Sequence, residues 1–147
     1  MAHSEVLVQL PPSRVRIILT DFENLAQINE SLKRVHILGH GDNDGVRMRA
    51  ITRICILFIC RNFTWIQEVR TLPSGDIVAV IEEGDFREGR VRWRLLSENG
   101  HTRLLFNADL VPDFWFPPII GPWLIKRKLQ DEALETAQGI ERVAARS

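Results

Sequence analysis

From Lys33 to Leu110 apolar and polar residues alternate with period two, broken at short intervals by turn-forming clusters and by no helical stretch. A period of two sends successive side chains to opposite faces of a strand, so this run folds as an antiparallel sheet rather than as alternating strands and helices. Val35, Ile37 and Gly39 alternate with His36, Leu38 and His40. Gly41-Asp42-Asn43-Asp44-Gly45 then has the composition of a hairpin turn. Val46, Met48, Ala50, Thr52, Ile54 and Ile56 share one face, with Arg47, Arg49, Ile51 and Arg53 on the other, so one face is core and the other mostly solvent. Further strands are predicted at Phe63 to Thr71, Ile77 to Glu82, Arg90 to Leu96 and Thr102 to Leu110, with turns at Pro73-Ser74-Gly75-Asp76 and Glu98-Asn99-Gly100. Beyond Cys55 both faces are apolar through Phe58 and Ile59, which predicts a strand that is buried or bent there. Cys55 and Cys60 in that one strand would lie about 16 Å apart on opposite faces. A disulfide needs Cα atoms within about 7 Å, so the expectation is two buried free thiols.

Before this run, Ser4 to Leu10 reads as a first strand stopped by Pro11-Pro12. Ser13 is expected to cap a short helix carrying Val15, Ile18 and Leu19. Asp21 opens a second one, with Phe22, Leu25 and Ile28 at helical spacing. After the run, Pro112 to Pro122 is irregular and aromatic. A helix then continues to about Ala145, with Ile125, Leu129, Ala133, Ala137, Ile140 and Ala144 on one stripe. Its roughly 36 Å could cross a sheet. The fold class that follows is α+β: a curved antiparallel sheet of about seven strands, two short helices after strand 1, and a long C-terminal helix, in a single domain spanning residues 1–147. A strongly twisted sheet coiling around one helix cannot touch it everywhere, so an apolar cavity between them is expected.

Nineteen basic and nineteen acidic residues leave no net charge, so no global field attracts nucleic acid or an anionic surface, and no nucleic-acid partner is expected. No apolar run approaches the roughly 18 residues that span a bilayer and no leader pattern opens the chain, which predicts a soluble cytoplasmic protein. His3, His36, His40 and His101 lie near termini and turns without motif partners, and neither cysteine belongs to a zinc pattern, so no metal, cofactor or catalytic residue is assigned. Asp42-Asn43-Asp44-Gly45 lacks the further ligands of a calcium loop. Glu82, Glu83, Asp85 and Glu88 read as a solvated run pairing with nearby arginines. There is no tyrosine, and Thr52, Glu68, Arg70 and Asn107 are the polar side chains left for work in a cavity.

Four segments carry a family resemblance: Leu19-Thr20-Asp21-Phe22-Glu23-Asn24-Leu25, the stretch from Gly84-Asp85-Phe86 to Arg92-Trp93, Gly100-His101-Thr102-Arg103-Leu104, and the closing helix. In these the chain resembles the START-like (SRPBCC) superfamily, the helix-grip fold, and among its subfamilies the bacterial polyketide cyclase/coenzyme Q-binding group. The resemblance implies a hydrophobic cavity between the concave sheet and the terminal helix, with Ile54, Ile56, Trp93, Leu104, Phe106, Trp115, Ile125 and Leu129 as candidate ligand contacts. For each of these, ordinary core packing is the plain alternative. The function implied is binding, transport or chaperoning of a hydrophobic small molecule. A cyclase/aromatase-type enzyme and an interaction module of the ribosome-associated toxin type are the alternatives. Phe114, Trp115 and Phe116, followed by Lys126, Arg127 and Lys128, combine rings and cations as a transient membrane contact would.

Overall fold

The structure, a computed structural model, describes residues 2–41, 45–112 and 122–146. In chain order its elements are β1 (Ala2–Val8), α1 (Pro12–Leu19), a 3-10 segment (Phe22–Gln27), β2 (Leu32–His40), β3 (Val46–Ile56), β4 (Ile59–Thr71), β5 (Ile77–Gly84), β6 (Phe86–Glu98), β7 (His101–Pro112) and α2 (Pro122–Ala145). The seven strands form one sheet in the order β1-β7-β6-β5-β4-β3-β2. Every neighbouring pair is antiparallel. Sequential hairpins build it from β2 to β7, and β1 joins at the far edge by pairing Val6 with Leu104.

Local chemistry explains most boundaries. Proline supplies the fixed φ that opens α1, with Pro11 at the N-cap and no side-chain cap, so Ser13 lies inside the helix and does not cap it. Val15 and Leu19, four residues apart, bury the same face. Between β6 and β7 the turn residues Asn99 and Gly100 both have positive φ, as a two-residue type I′ hairpin demands. Arg16 Nε reaches back from α1 to donate to the Gly75 carbonyl at 3.2 Å, tying the helix to the β4–β5 turn.

The cysteine expectation is overturned. What reads as one strand past Cys55 is two: the chain reverses at Leu57-Phe58, and Cys55 on β3 pairs directly with Cys60 on β4. Their Cα atoms are 4.0 Å apart and their sulfurs are bonded. Ile56 and Ile59 close the two-residue turn, so the next pair falls where opposed residues come nearest in an antiparallel ladder. Both cysteines are exposed, not buried. The turn escapes notice because it holds no Gly, Asn, Asp or Pro; Leu57 takes the positive φ of 59° that glycine usually supplies.

The main core gathers Val8, Val15, Leu19, Met48, Leu104 and Ile140 from both ends of the chain. α2 runs chiefly along β1 and reaches β3 and β7, while α1 packs on α2, β6 and β7. One end of the grip is thereby filled by α1, leaving space beneath α2 toward the other.

Candidate functional site

Between the sheet, the 3-10 segment and α2 lies a cavity of about 250 Å³, a little below the usual range of ligand pockets. Its floor is the inner face of the strands, where period-two alternation sends every second residue inward. Trp93 on β6 and Phe106 on β7 are register partners with ring centroids 4.6 Å apart. On the opposite wall Phe86 lies edge-on to Trp65 at 5.6 Å and stacks near Phe63 at 5.9 Å. Gly84 makes that corner possible, because a Cβ there would lie 2.6 Å from the Trp65 Cα. The roof comes from Leu129 and Ala133 of α2, and Phe22, Leu25 and Ile28 of the 3-10 region close one side.

Few polar groups interrupt this surface. Asn29 Nδ2 donates to Glu132 Oε2 at 3.0 Å and to Thr136 Oγ1 at 3.0 Å. Ser31 Oγ donates to Glu132 Oε1 at 2.8 Å, and Lys128 Nζ lies 3.3 Å from the same oxygen. This network fastens the chain after the 3-10 segment to α2. Gln67 Oε1 accepts the Trp65 indole N–H at 3.0 Å, fixing the ring against the wall.

Of the candidate contacts, Ile54, Trp93, Phe106 and Leu129 lie on the cavity wall. Leu104, 1% exposed, sits instead in the core at the end filled by α1. Ile56 has run past the cavity to the β3–β4 turn, and Ile125 stands one turn of α2 before Leu129 and off the wall. Trp115 lies outside the described residues, as do Phe114 and Phe116. Thr52 lines the cavity, whereas Glu68, Arg70 and Asn107 do not; Asn107 Oδ1 accepts the His3 Nδ1–H at 2.7 Å. Sequence reasoning missed Trp65, Gln67 and Phe86, although Phe63, Trp65, Gln67 and Val69 alternate as plainly as the inner face of β3.

The outer face is electrostatically separate. Arg47 Nε donates to Glu82 Oε2 at 2.8 Å, spanning β4. Asp76, only 5% exposed, accepts Arg92 Nε at 3.0 Å and lies 3.5 Å from Arg94 Nε. The arginine strands β3 and β6 are kept apart by β4 and β5. On the β6–β7 hairpin, the hydrogen bond from Arg103 holds the Glu98 carboxyl below its usual range. No helix among the described residues is long and apolar enough to cross a membrane.

The family model described as polyketide cyclase/dehydrase and lipid transport matches residues 8–136. No curated protein matches the sequence. Among solved structures, one from Thermus thermophilus superposes with a TM-score of 0.80 at 20% identity, covering 99% of both chains. A START superfamily protein from Mycobacterium smegmatis gives 0.78 at 20% identity, covering 99% of this chain and 98% of that one. The Zhui aromatase/cyclase of a Streptomyces species gives 0.76 at 16% identity, over 99% and 93%. At these identities the likeness speaks for the helix-grip START fold.

Proposed function

The chain belongs to the family of polyketide cyclases/dehydrases and lipid-transport proteins, and from that premise we propose that it binds a hydrophobic small molecule in the cavity under α2 and carries or shields it. A lipid, an isoprenoid quinone such as coenzyme Q, and a polyketide-like compound are the ligand classes in view. The observation that carries the reading is the cavity itself, whose wall combines two aromatic groups, aliphatic side chains and a handful of polar atoms, the make-up of a ligand pocket. Ile54, Trp93, Phe106 and Leu129 are the contacts we assign from the original set, joined by Trp65 and Phe86. We treat residues 1–147 as one START-like domain acting in the cytoplasm.

Native purification followed by mass spectrometry of solvent-extracted small molecules tests the proposal. A stoichiometric isoprenoid or acyl compound is expected, and protein that neither carries a ligand nor binds a neutral fluorescent naphthylamine sinks it. Likeness to an aromatase/cyclase favours a second reading, cyclisation of a poly-β-ketone chain; turnover of such a substrate would promote it. The membrane is the proposed source or destination of the ligand, touched through Phe114, Trp115, Phe116, Lys126, Arg127 and Lys128.

A further inference from the structure

Thr52 lies on β3 with 7% of its surface exposed and lines the cavity. Its hydroxyl enters no side-chain hydrogen bond among the described residues, in contrast to Thr20, Thr102 and Thr136. No described side-chain polar atom is both sealed off and unpartnered. The Thr52 hydroxyl is therefore open to the cavity space, a hydrogen-bonding group held in an apolar wall with nothing of the protein to bond. Such a group is costly to leave unmade and selects a ligand that completes it. Farther along the floor, Gln67 commits its carbonyl oxygen to the Trp65 indole, and its amide N–H donors enter no hydrogen bond among the described residues.

The charge on the wall points the same way. Glu132 is the one ionisable side chain among the described residues that line the cavity, and its oxygens already accept from Asn29, Ser31 and Lys128. No Lys, Arg or His occurs in residues 113–121 or 42–44, the internal segments outside the described residues. With the Glu132 carboxylate already matched by Lys128 and its hydrogen-bond donors, neither a ligand carboxylate nor an ammonium group would find an uncommitted counter-charge among the described residues that line the cavity.

We infer that the cavity selects neutral, oxygen-bearing apolar molecules, alcohols or ketones, and excludes fatty-acid carboxylates, with the Thr52 hydroxyl as the anchor for the ligand oxygen. This deepens the proposed carrier reading and rests on it. The test is displacement of N-phenyl-1-naphthylamine, an uncharged fluorescent probe, from the full chain at pH 7.5 by 1-decanol, decanoate and decylamine. Decanol is expected to compete at least about tenfold better than either charged analogue. Thr52→Val keeps the side-chain shape and is expected to weaken decanol by about fivefold, while Thr52→Ser, which keeps the hydroxyl, stays near wild type. Equal competition by decanol and decanoate or decylamine would overturn the selectivity. Equal losses in the Val and Ser variants, or none in Val, would overturn the anchor. Failure of the naphthylamine to bind at all would overturn the carrier reading, and this inference with it.

Discussion

Gly139 lies in α2 where the helix crosses the end of the 3-10 segment, and a Cβ built there would stand 1.8 Å from the Ile28 carbonyl oxygen. Alanine is the better helix former by about 1 kcal/mol, yet the obstruction is backbone and cannot rotate away. Gly139→Ala is therefore expected to destabilise the fold by about 2 kcal/mol through displacement of α2, read as a lower denaturation midpoint with an unchanged slope. A midpoint at or above wild type would show that the helix can shift freely. The disulfide predicts a smaller effect. It closes a loop of about six residues that the ladder already holds, so the double variant Cys55→Ser, Cys60→Ser should lose at most about 2 kcal/mol. A reducing cytoplasm keeps such thiols apart, so the bond is expected of protein isolated in air. Alkylation of the denatured, unreduced protein checks the bond: no label is expected, and two added alkyl groups would overturn it. At Glu98 the sign is that of a depressed carboxyl. Its pairing with Arg103 is fully present above the ordinary carboxylate pKa and is lost as pH falls through the lowered value.

Among the elements, the contrast between two hairpins shows what is legible in a sequence. Asn99-Gly100 announces its turn because those residues tolerate positive φ, and β6 and β7 fall where alternation places them. Leu57-Phe58 announces nothing. The run Cys55 to Cys60 is apolar at most positions, so periodicity cannot tell a continuing strand from a reversal. α2 is legible for a different reason: its stripe from Ile125 through Leu129, Ala133, Ala137, Ile140 and Ala144 repeats at helical spacing, and all but Ile125 and Leu129 are buried. Which part of that stripe meets the cavity is not written in it, because the spacing is the same over core and void. The division depends on α1 filling one end, a tertiary fact that puts Leu104 in the core and Phe106, two residues on, at the wall. This gives a prediction for α2. Ala133, 1% exposed, lines the cavity beside Phe106 and Ala108. Ala133→Leu should grow into open space, leaving the melting temperature unchanged or raised while weakening naphthylamine binding at least about tenfold. Destabilisation of about 1–3 kcal/mol with binding intact would mean that the site is packed and the ligand space lies elsewhere.

At the scale of the whole molecule the antiparallel order brings the β3–β4 turn, the β5–β6 bend, the end of β7 and the start of α2 to one end, opposite the end filled by α1. That end carries apolar exposure: Phe58 is 84% exposed, Leu57 61% and Trp123 65%. Arg53, Arg61, Lys126 and Arg127 are exposed on the same elements, and Arg61 lies 5.5 Å from the Phe63 ring. With zero net charge the molecule has no long-range attraction to an anionic bilayer, so adhesion must come from this local combination. Burying a large apolar side chain in the headgroup boundary contributes about 2 kcal/mol, and each cation near an anionic surface about 1 kcal/mol. Two exposed rings and Leu57, with four exposed cations, then predict binding that is measurable but reversible, and weakened by salt. In flotation with phosphatidylserine-containing liposomes, wild type is expected to float at low salt and progressively less toward physiological ionic strength. Phe58→Ser with Trp123→Ser should reduce flotation sharply, because Leu57 and the cations are left as a weak anchor. Lys126→Gln with Arg127→Gln should float less than wild type and depend less steeply on salt, with Arg53 and Arg61 keeping part of the attraction. Wild type that stays at the bottom of the gradient, or a double serine variant that floats as well as wild type, would mean that the rings serve only the fold and that ligand passes without a membrane contact at this end.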